Sequence, residues 1–239
     1  VFIFLPEPKK YLLDVFYSAC YVANWARAFG TTNPDWLGHT WSLSIEEQFY
    51  LVWPIVFAPL VLHLGLSRRL LVCLASFALL ASLWRIELVY SGASIARLYN
   101  GTDTRVDVIL MGAIIAVILQ CNATKFQALT QFCQKAFLLS TFVVFICFGW
   151  SVHWQDRSYY SFFSIFSNIA LSIFFIGLVT LNNSAIHRLL RSKLFVFLGR
   201  ISYPTYLWHF PIFCFAKFYS LRSSEIFYFC VPATYLVAI

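Results

Sequence analysis

Twenty consecutive residues, Phe162 to Leu181, carry no charge, and comparable apolar runs recur along the chain between short polar connections. A run of about 20 apolar residues crosses the hydrocarbon core of a bilayer, where only a helix or a closed barrel satisfies its own backbone. Barrel strands alternate over about ten residues, and these runs do not alternate. The expected fold is therefore all-α, a polytopic transmembrane helical bundle. Spans are expected at roughly 11–28, 47–66, 70–91, 106–121, 136–153, 162–182 and 195–219, with a partial one from 226, giving about seven and a fragment.

Composition agrees with this reading. Of 239 residues, 61% are hydrophobic and 11% charged, which excludes an ordinary soluble domain. Twenty-six Phe, thirteen Tyr and eight Trp supply lipid-facing surface and interfacial rings. The net charge of +7 comes from residues in short connections rather than a basic tract, so no nucleic acid partner is expected. Lys9, Lys10, Arg68, Arg69, Lys125, Lys135, Arg188, Arg191, Lys193 and Arg200 fall on one side of the expected topology. Arg27, Arg97, Arg105, Arg157, Lys217 and Arg222 fall on the other. The richer side is expected to be cytoplasmic. Asp35, Glu46, Glu47, Asp103, Asp107, Asp156 and Glu225 then lie on the exoplasmic side. The seven cysteines show no metal-ligand spacing, read as small buried apolar residues, and no metal is expected. With no internal repeat or linker, residues 1–239 read as a single domain. Both ends read as cut, because VFIFLP resembles the tail of a span and FYFCVPATYLVAI is too short to complete one.

Three polar clusters stand out from this apolar background. In HTWSLSIEEQFYLVWP (39–54), Glu46 and Glu47 follow Ser42 and Ser44. A capped helix start with acids in its first turn accounts for one carboxylate. It accounts less well for two, since consecutive helical positions point about 100° apart. In Asp103-Thr104-Arg105-Val106-Asp107, Asp103 or Thr104 reads as a cap with a local Arg–carboxylate pair, or else as an arginine between two acids that binds an anionic or carbonyl group. In LGRISYPTYLWHFP (198–211), Ser202, Tyr206 and His209 fall on one helical stripe, and Pro204 and Pro211 free carbonyls around Arg200 and Leu207. His209 is a satisfied interhelical partner or a general acid/base. All three clusters sit toward the exoplasmic ends of their spans, which points to a shared pocket, with Arg85 and Glu87 as supports.

These three motifs, in this order and among apolar spans, closely resemble the acyltransferase 3 family of integral-membrane O-acyltransferases. The resemblance implies that residues 1–239 are a transmembrane acyltransferase 3-like domain of a bacterial inner membrane protein. It implies transfer of an acyl group, typically acetyl from acetyl-CoA as cosubstrate with no bound cofactor, to a hydroxyl of an O-antigen, exopolysaccharide, peptidoglycan or lipo-oligosaccharide sugar. Catalytic roles fall on Glu46, Glu47 and His209. Substrate contacts fall on His39, Trp41, Ser42, Ser44, Asp103, Arg105, Asp107, Ser202 and Tyr206. The family's first span with its Arg and His, the FFxxSGF-like segment and the arginine motif associated with CoA have no counterpart here. The chain alone is therefore expected to be inactive. A transporter or flippase of a lipid-linked sugar or small solute is the competing expectation, since buried polar groups also line transport paths. The paired interrupted spans of inverted repeats are not visible. A non-catalytic scaffold would leave the three clusters unexplained.

Overall fold

The computed structural model describes residues 8–31, 37–120, 126–150, 155–181, 185–218 and 223–238. Asp35, Cys121, Lys125 and Arg222 lie outside them. All regular elements among the described residues are helical: α1 (Pro8–Ala19), α2 (Ala23–Ala28), α3 (Thr40–Leu64), α4 (Arg68–Tyr90), α5 (Ile95–Asn100), α6 (Val106–Gln120), α7 (Gln127–Lys135), α8 (Phe137–Trp150), a 3-10 turn (Arg157–Tyr160), α9 (Phe162–Thr180), α10 (Ala185–Leu190), α11 (Lys193–Phe218) and α12 (Ser223–Ala238). They form two compact units. The first comprises α1, α2, the start of α3 and α10 to α12; the second runs from Ile45 in α3 through α9.

Among the described residues, α3, α4 and α9 are long and apolar enough to cross a membrane, and α7 with α8 makes a fourth candidate if the pair, bent by 64°, is one span. Helix α6 has 15 residues, short of the about 20 that a crossing needs. These criteria therefore identify fewer crossings than the seven expected. Large apolar side chains point outward along these helices, as with Leu62 at 84% exposure and Phe148 at 76%, which is the surface of an integral membrane protein.

The run expected to be one span over 11–28 is broken into α1 and α2. Tyr21 adopts φ +55°, and its N–H reaches the Ser18 carbonyl (3.1 Å) while Val22 N–H reaches that of Tyr17 (2.9 Å). This is a Schellman helix end with tyrosine in the place glycine usually takes. Hydropathy does not report such a break, because every side chain near it is still apolar or small.

In the second unit α4 lies against α6, with Leu70, Leu74 and Val117 at the centre and Trp53, Phe57 and Leu60 of α3 packed onto them. A second cluster, Ile118, Cys133 and Ile176, joins α6, α7 and α9. Of the described cysteines, Cys133, Cys147 and Cys230 are buried as expected, whereas Cys20 is exposed. Gly177 lets α9 approach the bend between α7 and α8. A Cβ there would lie 2.8 Å from the Cys133 carbonyl oxygen and 3.2 Å from Cβ of Phe137. Gln134 secures the same contact by donating to the Thr180 carbonyl at 2.8 Å. Gly177→Ala is expected to lower unfolding stability in detergent by about 1–3 kcal/mol, as overpacking does; an unchanged denaturation midpoint would show that the two helices part freely.

Candidate active site

Helix α3 begins at Thr40, earlier than its sequence suggests, and this changes the reading of the first motif. Ser42 and Ser44 lie inside the helix rather than capping it. Ser44, fully buried, bonds back to the Thr40 carbonyl at 3.0 Å. Glu46 and Glu47 consequently fall beyond the first turn, where the favourable field of a helix N-terminus has largely decayed. Capping therefore does not account for them. Glu46 is exposed and Glu47 half-buried.

The turn that precedes α3 is held from three sides within the first unit. Arg27 Nη1 of α2 donates to the Gly38 carbonyl at 3.0 Å. Thr40 Oγ1 donates to the Leu37 carbonyl at 2.7 Å and takes the Ser18 hydroxyl of α1 at 2.9 Å. Tyr206 of α11 donates to the His39 carbonyl at 2.6 Å, and the Ser42 hydroxyl meets the same phenol oxygen. Around the His39 ring stand Tyr206 (centroids 5.4 Å apart), His209 (5.6 Å) and Phe210 (5.1 Å). The first and third sequence motifs thus meet, and His39, Ser42, Tyr206 and His209 form one cluster. Ser202, expected on the same stripe, is exposed and bonds to the Gly199 carbonyl of its own helix (2.8 Å). Trp41 is half-buried beside the cluster in sequence.

The protonation states follow from these contacts. His209 Nδ1 lies 2.5 Å from the Tyr206 carbonyl, which can only accept, so Nδ1 carries the proton and the neutral ring keeps Nε2 as a base. Burial pulls the His39 pKa down to about 4, the charge of His209 adds to this, and a hydrogen bond with the Leu207 backbone works against it. Pro211 has no N–H to give the Leu207 carbonyl, so helix α11 leaves that oxygen for another donor. His39 is neutral at pH 7, and its Nδ1 is buried with no hydrogen-bond partner among the described residues.

The second motif is built differently from the sequence expectation, which placed Arg105 between Asp103 and Asp107. Arg105 Nε instead donates to the Tyr99 carbonyl at 3.1 Å, and its guanidinium lies 4.7 Å over the Tyr99 ring. Asp103 takes two bonds from Arg97 (2.8 and 2.5 Å) and one from the Trp84 indole (2.7 Å). Burial pushes the Asp103 pKa upward, but these hydrogen bonds and the Arg97 charge outweigh it and hold the carboxyl below its ordinary range. Thr104 does not cap α6 but donates to the Leu98 and Gly101 carbonyls, both at 2.9 Å.

Asp107 and Arg85 are the deeply buried charges of the second unit, at 1% and 2% exposure. Asp107 Oδ2 receives Arg85 Nη1 (2.7 Å), Ser82 Oγ (3.0 Å) and Asn168 Nδ2 (3.2 Å). Arg85 also donates to the carbonyls of Thr104 (2.8 Å) and Tyr160 (3.0 Å). Glu87, named beside Arg85 in the sequence, is exposed. Sequence reasoning missed Ser82, Arg97 and Asn168, and in the first unit Asp14 and Asn24, buried to 1% and 0% exposure. The signal available for most of them is a lone polar residue inside an apolar run. No three His, Cys, Asp or Glu side chains among the described residues group as metal ligands.

Comparison with known proteins bears on what such clusters serve. The acyltransferase 3 family model, described as an acyltransferase domain, matches residues 2–239. The chain belongs to this family. It is 29% identical over 237 residues to the O-acetyltransferase OatA of Staphylococcus aureus, covering 95% of this chain and 38% of that protein. It is 30% identical over 221 residues to the peptidoglycan O-acetyltransferase OatA of Listeria monocytogenes, covering 87% of this chain and 35% of that protein. The chain thus spans little more than a third of the length of these relatives. No solved structure matches.

Two outcomes are expected from this geometry. Asp107→Ala strands the buried Arg85 charge and should cost about 3–5 kcal/mol in stability, while an Arg85→Met, Asp107→Leu pair should recover most of it; equal loss in both, measured by denaturation in detergent, would show that the charges themselves stabilise the fold. For His39 the folded pKa lies below the ordinary 6.5. The unfolded chain therefore binds the extra proton first, so stability should be constant above about pH 6.5 and decline as pH falls toward 4. A His39→Gln variant should lose that part of the decline.

Proposed function

We propose that this chain is the membrane-embedded transfer domain of an enzyme that moves an acyl group, most often acetyl, from acyl-CoA to a carbohydrate hydroxyl of the bacterial cell envelope. Peptidoglycan is the favoured acceptor, because the relatives above carry that substrate or O-acetyl transfer in their names. Lipopolysaccharide and exported polysaccharide remain within the same chemistry. The single observation that carries the reading is the His39–Tyr206–His209 cluster, which joins two motifs distant in sequence in one polar site. The proposal includes a single domain crossing the inner membrane in about seven spans, with α6 and α11 among the crossings and the acidic motifs on the exoplasmic side.

In this mechanism an acceptor hydroxyl attacks the thioester carbonyl. The hydroxyl proton passes to Nε2 of His209, the new C–O bond forms, the C–S bond breaks, and the CoA thiolate takes up a proton as it leaves. The Tyr206 contact holds His39 and His209 in their mutual orientation, and neutral His39 supplies a second imidazole beside the first. Ser42 steadies the phenol, and Ser44, Trp41 and Ser202 shape the surroundings. Glu46 and Glu47, which no cap explains, are assigned to the acceptor glycan, accepting hydrogen bonds from hydroxyls other than the one that reacts. Of the second motif's charges, Asp103 is the one that lines a cavity and is proposed to meet a ligand, while Arg105 flanks it and Asp107 fixes the frame.

The test supplies labelled acetyl-CoA and cell-envelope glycan to membranes holding the full-length protein. Glu46→Gln and Glu47→Gln are each expected to reduce label in the glycan by at least about tenfold, the loss of one charge-assisted contact to the acceptor. Unchanged labelling in both, at normal protein level, removes the carboxylates from the mechanism. Absence of label with the native protein across several acyl donors and glycans would favour the transporter instead.

A further inference from the structure

Helix α10 ends at Leu190, and Arg191 and Ser192 turn the chain into α11. Arg191 N–H closes on the His187 carbonyl and Ser192 N–H on that of Leu189, both at 3.0 Å, while the Ser192 carbonyl accepts from Val196 N–H at 3.0 Å and opens the next helix. Cations crowd this joint. Arg188, Arg191, Lys193 and Arg200 are all exposed. The ion pairs of the described residues are Arg85–Asp107 and Arg97–Asp103, so none of these cations has an acidic partner among them. Nor does the sequence offer one nearby, since no Asp or Glu lies between Asp156 and Glu225. Lys193 and Arg200 stand on one side of α11, about 10 Å apart along its axis. A helical Cα–Cβ bond leans toward the N-terminus, which carries the Arg200 side chain back toward Lys193.

Like charges gathered without acids repel one another, so an anion from outside the unit stabilises this patch. The side chains between the cations identify its source. Ile186, Leu189 and Leu190 fall within one arc of about 100° on α10, with Arg188 on the opposite side. Leu189 is 54% exposed, and Leu194 at the start of α11 is 62% exposed. A soluble phosphate compound gains nothing from exposed leucines. A bilayer surface takes both kinds of group: the leucines enter the acyl boundary, while the arginine and lysine stems reach the phosphates above it. We infer that residues 185–200 form a surface anchor that lies against the bilayer and holds the phosphate of an anionic phospholipid, of the phosphatidylglycerol type, at Arg188, Arg191 and Lys193. The anchor is independent of acyl transfer, and its test reads lipid contact rather than activity.

The full-length protein, with the photoreactive residue benzoylphenylalanine in place of Leu189, is put into vesicles of phosphatidylglycerol and phosphatidylethanolamine in equal amounts, irradiated and digested. Mass spectrometry then counts each lipid joined to the peptide. Phosphatidylglycerol adducts should exceed phosphatidylethanolamine adducts by at least about fivefold, the worth of one Lys or Arg at a membrane surface. The combined substitutions Arg188→Gln, Arg191→Gln and Lys193→Gln should bring the two to parity. With the cations intact, salt at about 1 M should do the same, because charges are then screened over about 3 Å. Equal adducts at low salt would overturn the inference, as would crosslinks that join the residue to other parts of the protein in place of lipid. Loss of the phosphatidylglycerol excess on adding millimolar coenzyme A would overturn it too, by assigning the patch to a soluble polyphosphate.

Discussion

One guanidinium organises the larger of the two units. Arg85 is buried among apolar helices, where a charge without partners is prohibitively costly, and it is tolerated only because its N–H groups find Asp107 and the carbonyls of Thr104 and Tyr160. Those three partners belong to α6, to the loop before it and to the 3-10 turn before α9. Ser82 and Asn168 add bonds to the same carboxylate oxygen, Oδ2, from α4 and α9. Arg157 repeats the device at the same end of α4, donating to the Val89 and Gly92 carbonyls. The apolar faces of α4, α6 and α9 could slide over one another with little change in buried area; the directional bonds of these arginines do not permit it.

The smaller unit follows a related logic with neutral groups. The turn before α3 is tied by Arg27, Ser18 and Tyr206, so the His39 backbone is fixed before its ring is considered. Pro211 then acts at a distance of four residues, since the N–H it lacks is the one that would have occupied the Leu207 carbonyl. A helix that gives up one internal bond in this way offers a strong acceptor to a neighbouring ring. His39 is thereby held neutral by burial and yet engaged by the backbone, next to a second histidine whose tautomer another carbonyl sets.

Much of this is legible in the sequence and some of it is not, for physical reasons. The spans expected at 70–91, 106–121, 162–182 and 195–219 correspond to α4, α6, α9 and α11 with ends displaced by no more than about two residues, because long apolar runs bounded by polar residues leave little choice. The short helices α5, α7 and α10 fall below the length at which hydropathy carries a signal. The helix break at Tyr21 escaped because its left-handed residue is not glycine. The charged motif between 103 and 107 was read through sequence adjacency. Asp103 and Arg105 lie in the turn before α6 rather than on the helix, and Arg105 and its neighbouring acids found partners on other elements. By contrast, the meeting of His39 with Tyr206 and His209 was anticipated only in outline, from the placing of the first and third motifs at the exoplasmic ends of their spans, as no local pattern links residues that far apart in the chain.

The central claim is that the histidine pair, oriented by Tyr206, moves the proton in acyl transfer. The most direct measurement is the rate of acetyl transfer to glycan by His209→Gln beside Tyr206→Phe, in membranes with matched protein levels. Loss of a general base should slow His209→Gln by about 10²–10⁴-fold, and Tyr206→Phe should fall by less while shifting the pH dependence of the rate. A His209→Gln enzyme that keeps its rate within about twofold, a margin far below the contribution of a general base, would contradict the account.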